Sequence, residues 1–180
     1  MTTSMTARED EFLELLEQYK KILFKVANLY CRNRADFPDV VQEIVLQAWR
    51  SFGHYDHSRP FSTWLYRIAL NVAISFYRAE TRRLRSIVPA DEYIVEIAVP
   101  PSEAAELEAQ LRLLHSFIGQ FGELDKALVL LYMDGNSNDT IGEILGISAS
   151  NVGTRMNRIK QKLQRKWTDL SKGEYSHGFR

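Results

Sequence analysis

The sequence predicts an all-α protein: two small helical domains joined by a flexible linker. Three observations lead there. Apolar residues recur at steps of three and four in two separate blocks, the period of an amphipathic helix. No segment alternates with period two for long; only Tyr93 to Val99 does so, and briefly. Between the blocks lies SIVPADEYIVEIAVPPSEAAE, where Pro89, Pro100 and Pro101 forbid a continuous helix and bias each preceding residue toward extended conformations.

In the first block, Phe12, Leu15, Leu16, Tyr19, Leu23, Val26 and Tyr30 share one helical face. A second series, Val41, Ile44, Val45, Ala48, Trp49 and Phe52, follows the start Asp36-Phe37-Pro38-Asp39. Either aspartate there can cap the helix, and Pro38 suits its first turn. A third series, Phe61, Trp64, Leu65, Ile68, Val72 and Phe76, begins just after Pro60. These place a helical bundle at residues 8–85 and the linker at 86–102. Ser102 can then cap a helix running through Ala105, Leu107, Leu111, Leu114 and Ile118, and a second helix covers Leu124 to Met133. A second domain over 103–168 and a frayed tail at 169–180 complete the chain.

The second block contains a helix-turn-helix. Two helices at a steep angle need a small residue where their backbones approach, a glycine at the turn and apolar residues inside the angle. Gly142 is the small residue, Gly146 takes the turn, and Ile141, Leu145, Ile147 and Val152 face inward. Ser148 caps the second helix, whose inward face continues through Met156, Ile159 and Leu163. That leaves Ser150, Asn151, Thr154, Arg155 and Arg158 outside, side chains able to reach base edges and phosphates.

Charge supports this placement only locally. Positive and negative side chains balance at 23 each, yet Ile144 to Trp167 contains no acid and six basic residues. Conversely, Ser86 to Glu108 contains no Lys or Arg. A solvated basic helix face would carry the same run, but here it coincides with the full spacing of the motif.

Other chemistry is poorly served. Cys31 is the only cysteine, so no intramolecular disulfide can form, and its apolar helical setting predicts a buried structural thiol. His54, Asp56 and His57 lack a fourth metal ligand nearby. No phosphate-binding glycine loop or nucleophile elbow is present, so neither enzyme nor cofactor is expected. MTTSMTAREDEF lacks the apolar stretch of a signal peptide, and no run approaches the ~20 apolar residues of a membrane span. A cytoplasmic protein without membrane insertion is expected.

Together DVVQEIVLQAWRSF (Asp39 to Phe52), RPFSTWLYRIALNVAISFYRAETRR (Arg59 to Arg83) and TIGEILGISASNVGTRMNRIKQKL (Thr140 to Leu163) resemble the extracytoplasmic-function sigma factors, compact initiators of the sigma-70 type that keep only domains two and four. The resemblance covers nearly the whole chain in the family's order. It implies a protein that binds core RNA polymerase, reads the minus 35 and minus 10 promoter elements and helps melt the DNA. Asp39, Gln42 and Glu43 would dock on the beta-prime clamp helices, with the beta flap a further polymerase contact. Helix capping and solvation would account for Asp39 equally.

By the same resemblance, the loop from Gly53 to Thr63 captures a flipped base of the minus 10 element, using His54, Tyr55, Asp56, His57, Arg59 and Ser62. Phe61 and Trp64 follow the helical period and are read as core. Arg67, Asn71, Arg78 and Arg82 lie along the third helix, against the upstream edge of that element. Ser150, Asn151, Thr154, Arg155 and Arg158 read the minus 35 element. An anti-sigma factor covering these surfaces is the implied regulator, and the acidic linker would thread polymerase channels or serve as a plain tether.

Two residues depart from the family pattern. Gly142 stands where alanine is commoner and Gly153 where a cation often sits, each costing a helix about 1 kcal/mol relative to alanine. A two-domain regulator that binds DNA as a dimer, without acting as a sigma factor, is the alternative from another class.

Overall fold

The computed structural model describes residues 2–31, 33–87 and 116–176. The chain divides into two compact units, Met1–Glu96 and Ile97–Arg180. Among the described residues there is helix and no strand.

In the first unit α1 spans Thr2–Tyr30, a short 3-10 turn Arg34–Asp36, α2 Phe37–Phe52 and α3 Phe61–Ile87. The three helices pack on one another around Phe12, Leu23, Val26, Tyr30, Val40, Ile44, Phe52, Phe61, Leu65 and Leu70. Ala48, Ala69 and Ala73 are fully buried, small enough for the helix axes to approach closely.

Two core assignments from periodicity shift. On α2 the buried row is Val40, Ile44, Ala48 and Phe52, a strict step of four, while Val41 and Val45 are half-buried. On α3 the buried residues include Tyr66, Ala69, Leu70 and Ala73, whereas Ile68, Val72 and Phe76 are half-buried. The reason is that α3 touches both α1 and α2, so its apolar surface is wider than one stripe and only part of it is covered. The cap also differs. Asp36 precedes α2 with no side-chain hydrogen bond, and Pro38 lies in the first turn as expected. It is Asn33 that caps, accepting from the Ala35 N–H at 3.0 Å to start the 3-10 turn.

In the second unit α4 spans Glu123–Met133, α5 Asn138–Leu145 and α6 Ala149–Ser176. Leu128, Leu131, Ile141, Ile144, Val152, Met156 and Ile159 form its core. Ile144 is buried where Leu145 and Ile147 were expected; both of those are half-buried. They flank Gly146, where the chain reverses, and so sit at the mouth of the angle between helices rather than inside it.

The helical ends also move. Helix α3 runs two residues into the expected linker, and α6 continues to Ser176 through residues expected to fray. Gly173 is the poorest helix former among those residues, and no proline intervenes. The remaining linker, Tyr93 to Val99, and the helix from Ser102 as far as residue 115 lie outside the described residues.

Candidate nucleic-acid interface

The helix-turn-helix is built by α5 and α6. Ser137 caps α5 by accepting from the Thr140 N–H at 3.1 Å, a cap the sequence reading missed although Ser-Asn-Asp-Thr carries its signal. At the C-terminus Gly146 adopts φ 70°, the left-handed region where a side chain is disfavoured, and the Ile147 N–H donates to the Gly142 carbonyl at 3.0 Å. Ser148 then caps α6, accepting from the Asn151 N–H at 3.2 Å. A Cβ on Gly142 would lie 2.6 Å from the Ile147 carbonyl oxygen and 3.4 Å from the Ala149 nitrogen. Glycine lets the incoming backbone of this chain lie where alanine would put its methyl, so an alanine there would force the turn to shift. Gly153 meets only Asn138 Nδ2, at an ordinary 3.5 Å.

Of the expected reading residues, Ser150, Asn151, Thr154 and Arg158 are exposed on one side of α6. The Thr154 hydroxyl donates to the Ser150 carbonyl at 3.0 Å. Arg155 is placed differently. Its Nη1 lies 2.6 Å from Asp125 Oδ1 on α4, with the two side chains 37% and 23% exposed. Lys160 donates to the Tyr132 hydroxyl at 2.9 Å and sits 4.4 Å from that ring's centre. Lys166 hydrogen-bonds Gln120 and stands over the Phe117 ring at 5.0 Å. Sequence spacing alone could not separate these cations, because their partners lie 28 to 46 residues away.

The loop between α2 and α3 is braced from within. Tyr55 packs on Phe52, Phe61 and Trp64, with ring centres 5.9, 5.5 and 5.1 Å away, and its hydroxyl donates to the Arg59 carbonyl at 2.6 Å. Burial pushes the phenol's pKa up from its ordinary value of 10.0. Asp56 Oδ1 accepts from the Ser58 N–H at 3.0 Å, and the Arg59 N–H donates to the Asp56 carbonyl at 3.0 Å. Hydrogen bonds from Ser58, then the Arg59 charge, hold the Asp56 carboxyl below its ordinary 3.8. His57 stands 4.7 Å from the Tyr55 ring, and its Nδ1 is 3.4 Å from Glu11 Oε1. Arg8, stacked 5.0 Å over Trp49, abuts Gly53. The structure thus joins Tyr55 to the anchors Phe52, Phe61 and Trp64, leaves His54, Asp56, His57 and Arg59 exposed at the tip, and half-buries Ser62.

Asp39, Gln42 and Glu43 are exposed on α2, and Gln47 Nε2 donates to Glu43 Oε1 at 2.7 Å. Asp39 and Glu43 line an open groove of about 700 Å³ that also takes in Asn71, Ile68, Val72 and Phe76 from α3. Periodicity assigned those three apolar residues to the core and so missed the groove. Asn71 therefore shares a surface with the acidic patch as well as a helix face with exposed Arg67. Farther along, Arg78 and Arg82 are exposed, with Arg82 Nε donating to the Arg78 carbonyl at 3.4 Å.

Cys31 is half-buried rather than buried, and burial, followed by the charges of Asp36 and Glu80, pushes its thiol up to about 11. Among the described residues no group of His, Cys, Asp or Glu is placed to hold a metal ion, and no helix is long and apolar enough to cross a membrane.

Comparison with known proteins adds an independent line. Residues 15–83 match Sigma-70 region 2. The chain is 31% identical over 153 residues to the ECF RNA polymerase sigma-E factor of Haemophilus influenzae, covering 79% of this chain and 81% of that one. It is 27% identical over 171 residues to the ECF RNA polymerase sigma factor SigW of Bacillus subtilis, covering 90% and 91%. Among solved structures it resembles CnrH in complex with the cytosolic domain of CnrY, at TM-score 0.65 and 25% identity over 89% of this chain and 90% of that one. RpoE in complex with the anti-sigma factor NepR, from Bartonella quintana, shares the fold at TM-score 0.62 and 21% identity over 87% and 94%.

Proposed function

This chain belongs to the ECF RNA polymerase sigma factors, and from that premise we propose how its surfaces divide the work of transcription initiation. It is an initiation factor that binds core RNA polymerase and directs it to promoters. The observation that carries the division of labour is the pairing, in one chain, of a region 2 segment with a capped helix-turn-helix whose outer face bears Asn151, Thr154 and Arg158.

Asp39, Gln42 and Glu43 dock on the beta-prime clamp helices; their exposure and the negative charge of Asp39 and Glu43 suit a basic partner. The second unit meets the beta flap and the minus 35 element, with Ser150, Asn151 and Thr154 at base edges and Arg158 at the phosphates. Arg67, Asn71, Arg78 and Arg82 lie along the minus 10 duplex. The loop tip, His54, Asp56, His57 and Arg59 with Ser62 beside it, holds the unpaired base on the frame that Tyr55 anchors. Opening the duplex costs a few kcal/mol per step, and a tip already ordered avoids adding its own conformational entropy to that cost.

The domain limits follow this division: residues 8–85 for polymerase docking and minus 10 recognition, and 103–168 for minus 35 recognition. The chain works in the cytoplasm and catalyses no reaction of its own. An anti-sigma factor, such as NepR is to RpoE, is the further partner.

In vitro transcription with bacterial core polymerase over a promoter library tests this reading. Specific transcripts that depend on the added protein are expected. Their absence with a protein that is demonstrably folded overturns it.

A further inference from the structure

Six cations lie between Arg155 and Lys166 on α6, and the structure sorts them into two sets. Arg155, Lys160 and Lys166 turn back onto their own unit, reaching Asp125, Tyr132 and Gln120. Arg158, Lys162 and Arg165 are exposed. At steps of four and three, they extend the line begun by Asn151 and Thr154 along a single face of the helix.

We propose that Arg155 is a positioning residue and not a reader of bases: with Asp125 it fixes how α6 is presented to DNA, while Arg158, Lys162 and Arg165 track the phosphate backbone. The assignment rests on the sigma-factor reading and deepens it.

Three arguments support it. The guanidinium is engaged at 2.6 Å by a carboxylate that is itself only 23% exposed, so an Arg155 that turned to DNA would leave Asp125 partly desolvated and uncompensated. That stranded carboxylate would also repel the approaching phosphates. Geometry adds the third. Arg155 lies on α6 between the buried positions Val152, Met156 and Ile159 and the exposed Asn151, Thr154 and Arg158, at the flank where α4 packs. Asp125 stands in the first turn of α4, where a negative charge is favoured by the helix dipole. An ion pair spanning 30 residues at that flank sets the roll of α6 about its axis, and hence the direction in which the reading residues point.

The discriminating variant is Asp125→Asn, because Asp125 has no role in a direct-contact scheme. Full-length variants are assembled with core polymerase and titrated with duplex DNA bearing the upstream element that wild-type holoenzyme selects from a randomised library. A scrambled upstream element serves as reference, and salt is varied. Asp125→Asn and Arg155→Ala are expected to lose roughly three- to tenfold of the matched-over-scrambled preference, with no change in salt slope. Arg155→Lys, which can still pair with Asp125 but lacks the planar fork that matches guanine, retains most of the preference. Arg158→Ala, Lys162→Ala and Arg165→Ala each weaken matched and scrambled DNA alike and reduce the salt slope by about one.

Melting curves establish which variants are folded, and Arg155→Lys keeps the test decisive if Asp125→Asn unfolds. An undiminished matched-over-scrambled preference in folded Asp125→Asn overturns the assignment, as does a salt slope lowered by about one in Arg155→Ala, or loss of preference in folded Arg155→Lys. Wild-type holoenzyme that ignores the upstream element overturns the sigma-factor reading itself, and this assignment with it.

Discussion

The hydroxyl of Tyr55 donates to the carbonyl of Arg59 at 2.6 Å, closing the loop between α2 and α3 on itself above a floor of Phe52, Phe61 and Trp64. Its ring and hydroxyl together brace the loop from within. Tyr55→Phe keeps the ring and loses the bond, so thermal stability should fall by about 1 kcal/mol. Formation of the open complex, followed by a fluorescent base in the minus 10 element, should slow while duplex binding stays unchanged.

His57 is exposed at the loop tip, and His57→Ala removes its ring contact with Tyr55 and its approach to Glu11 while leaving the Phe52, Phe61 and Trp64 floor in place. Slower promoter opening at unchanged duplex affinity is expected. An equal loss of both would deny the tip a part in holding the unpaired base.

Asp56 tests the loop by pH. Its folded pKa lies below the ordinary 3.8, so the stabilisation it provides is present above 3.8 and is lost as pH falls through the folded value. The hydrogen bond that Asp56 accepts from the Ser58 amide, followed by that amide's chemical shift, should be lost as pH falls through the folded value of Asp56.

The two glycines of the helix-turn-helix should respond in opposite directions to alanine. Gly142→Ala brings a methyl within 2.6 Å of a backbone carbonyl and should destabilise by roughly 1–3 kcal/mol despite better helix propensity. Gly153→Ala meets only a side-chain amide at 3.5 Å and should stabilise by up to about 1 kcal/mol. Urea denaturation of the full chain measures both.

Cys31 should be a sluggish thiol. Raised from 9.0 to about 11, it contributes stability that is complete below 9.0 and lost as pH rises through 11. At pH 8 its reaction with a disulfide reagent should run roughly tenfold slower than that of an ordinary thiol, the about 100-fold smaller thiolate fraction being partly offset by the greater nucleophilicity of a more basic thiolate.

The acidic patch makes a binding prediction free of stability effects. Glu43 is exposed and hydrogen-bonded only to a neighbouring side chain one turn away, so Glu43→Lys should leave the melting temperature unchanged. Affinity for core polymerase should fall at least tenfold, as expected when like charges are brought together across an interface.

Much of this was legible in the residues themselves. Steps of three and four located α1, α2, α3 and α6 because burying one face is what stabilises an amphipathic helix, and that requirement is written locally. Gly146 and Ser148 announced the turn and the cap because their chemistry acts within a few residues. The acidic patch and the outward face of α6 followed by subtraction of the apolar positions.

Tertiary structure alone decided the rest, wherever the outcome depended on a neighbour distant in sequence. Periodicity could not tell that Ile68, Val72 and Phe76 line a groove, since it reports that a residue is apolar but not whether another helix covers it. Nor could it tell Arg155 from Arg158, two cations three positions apart on one helix. Asp125 stands beside the first, a pairing across 30 residues that no spacing along the helix can announce.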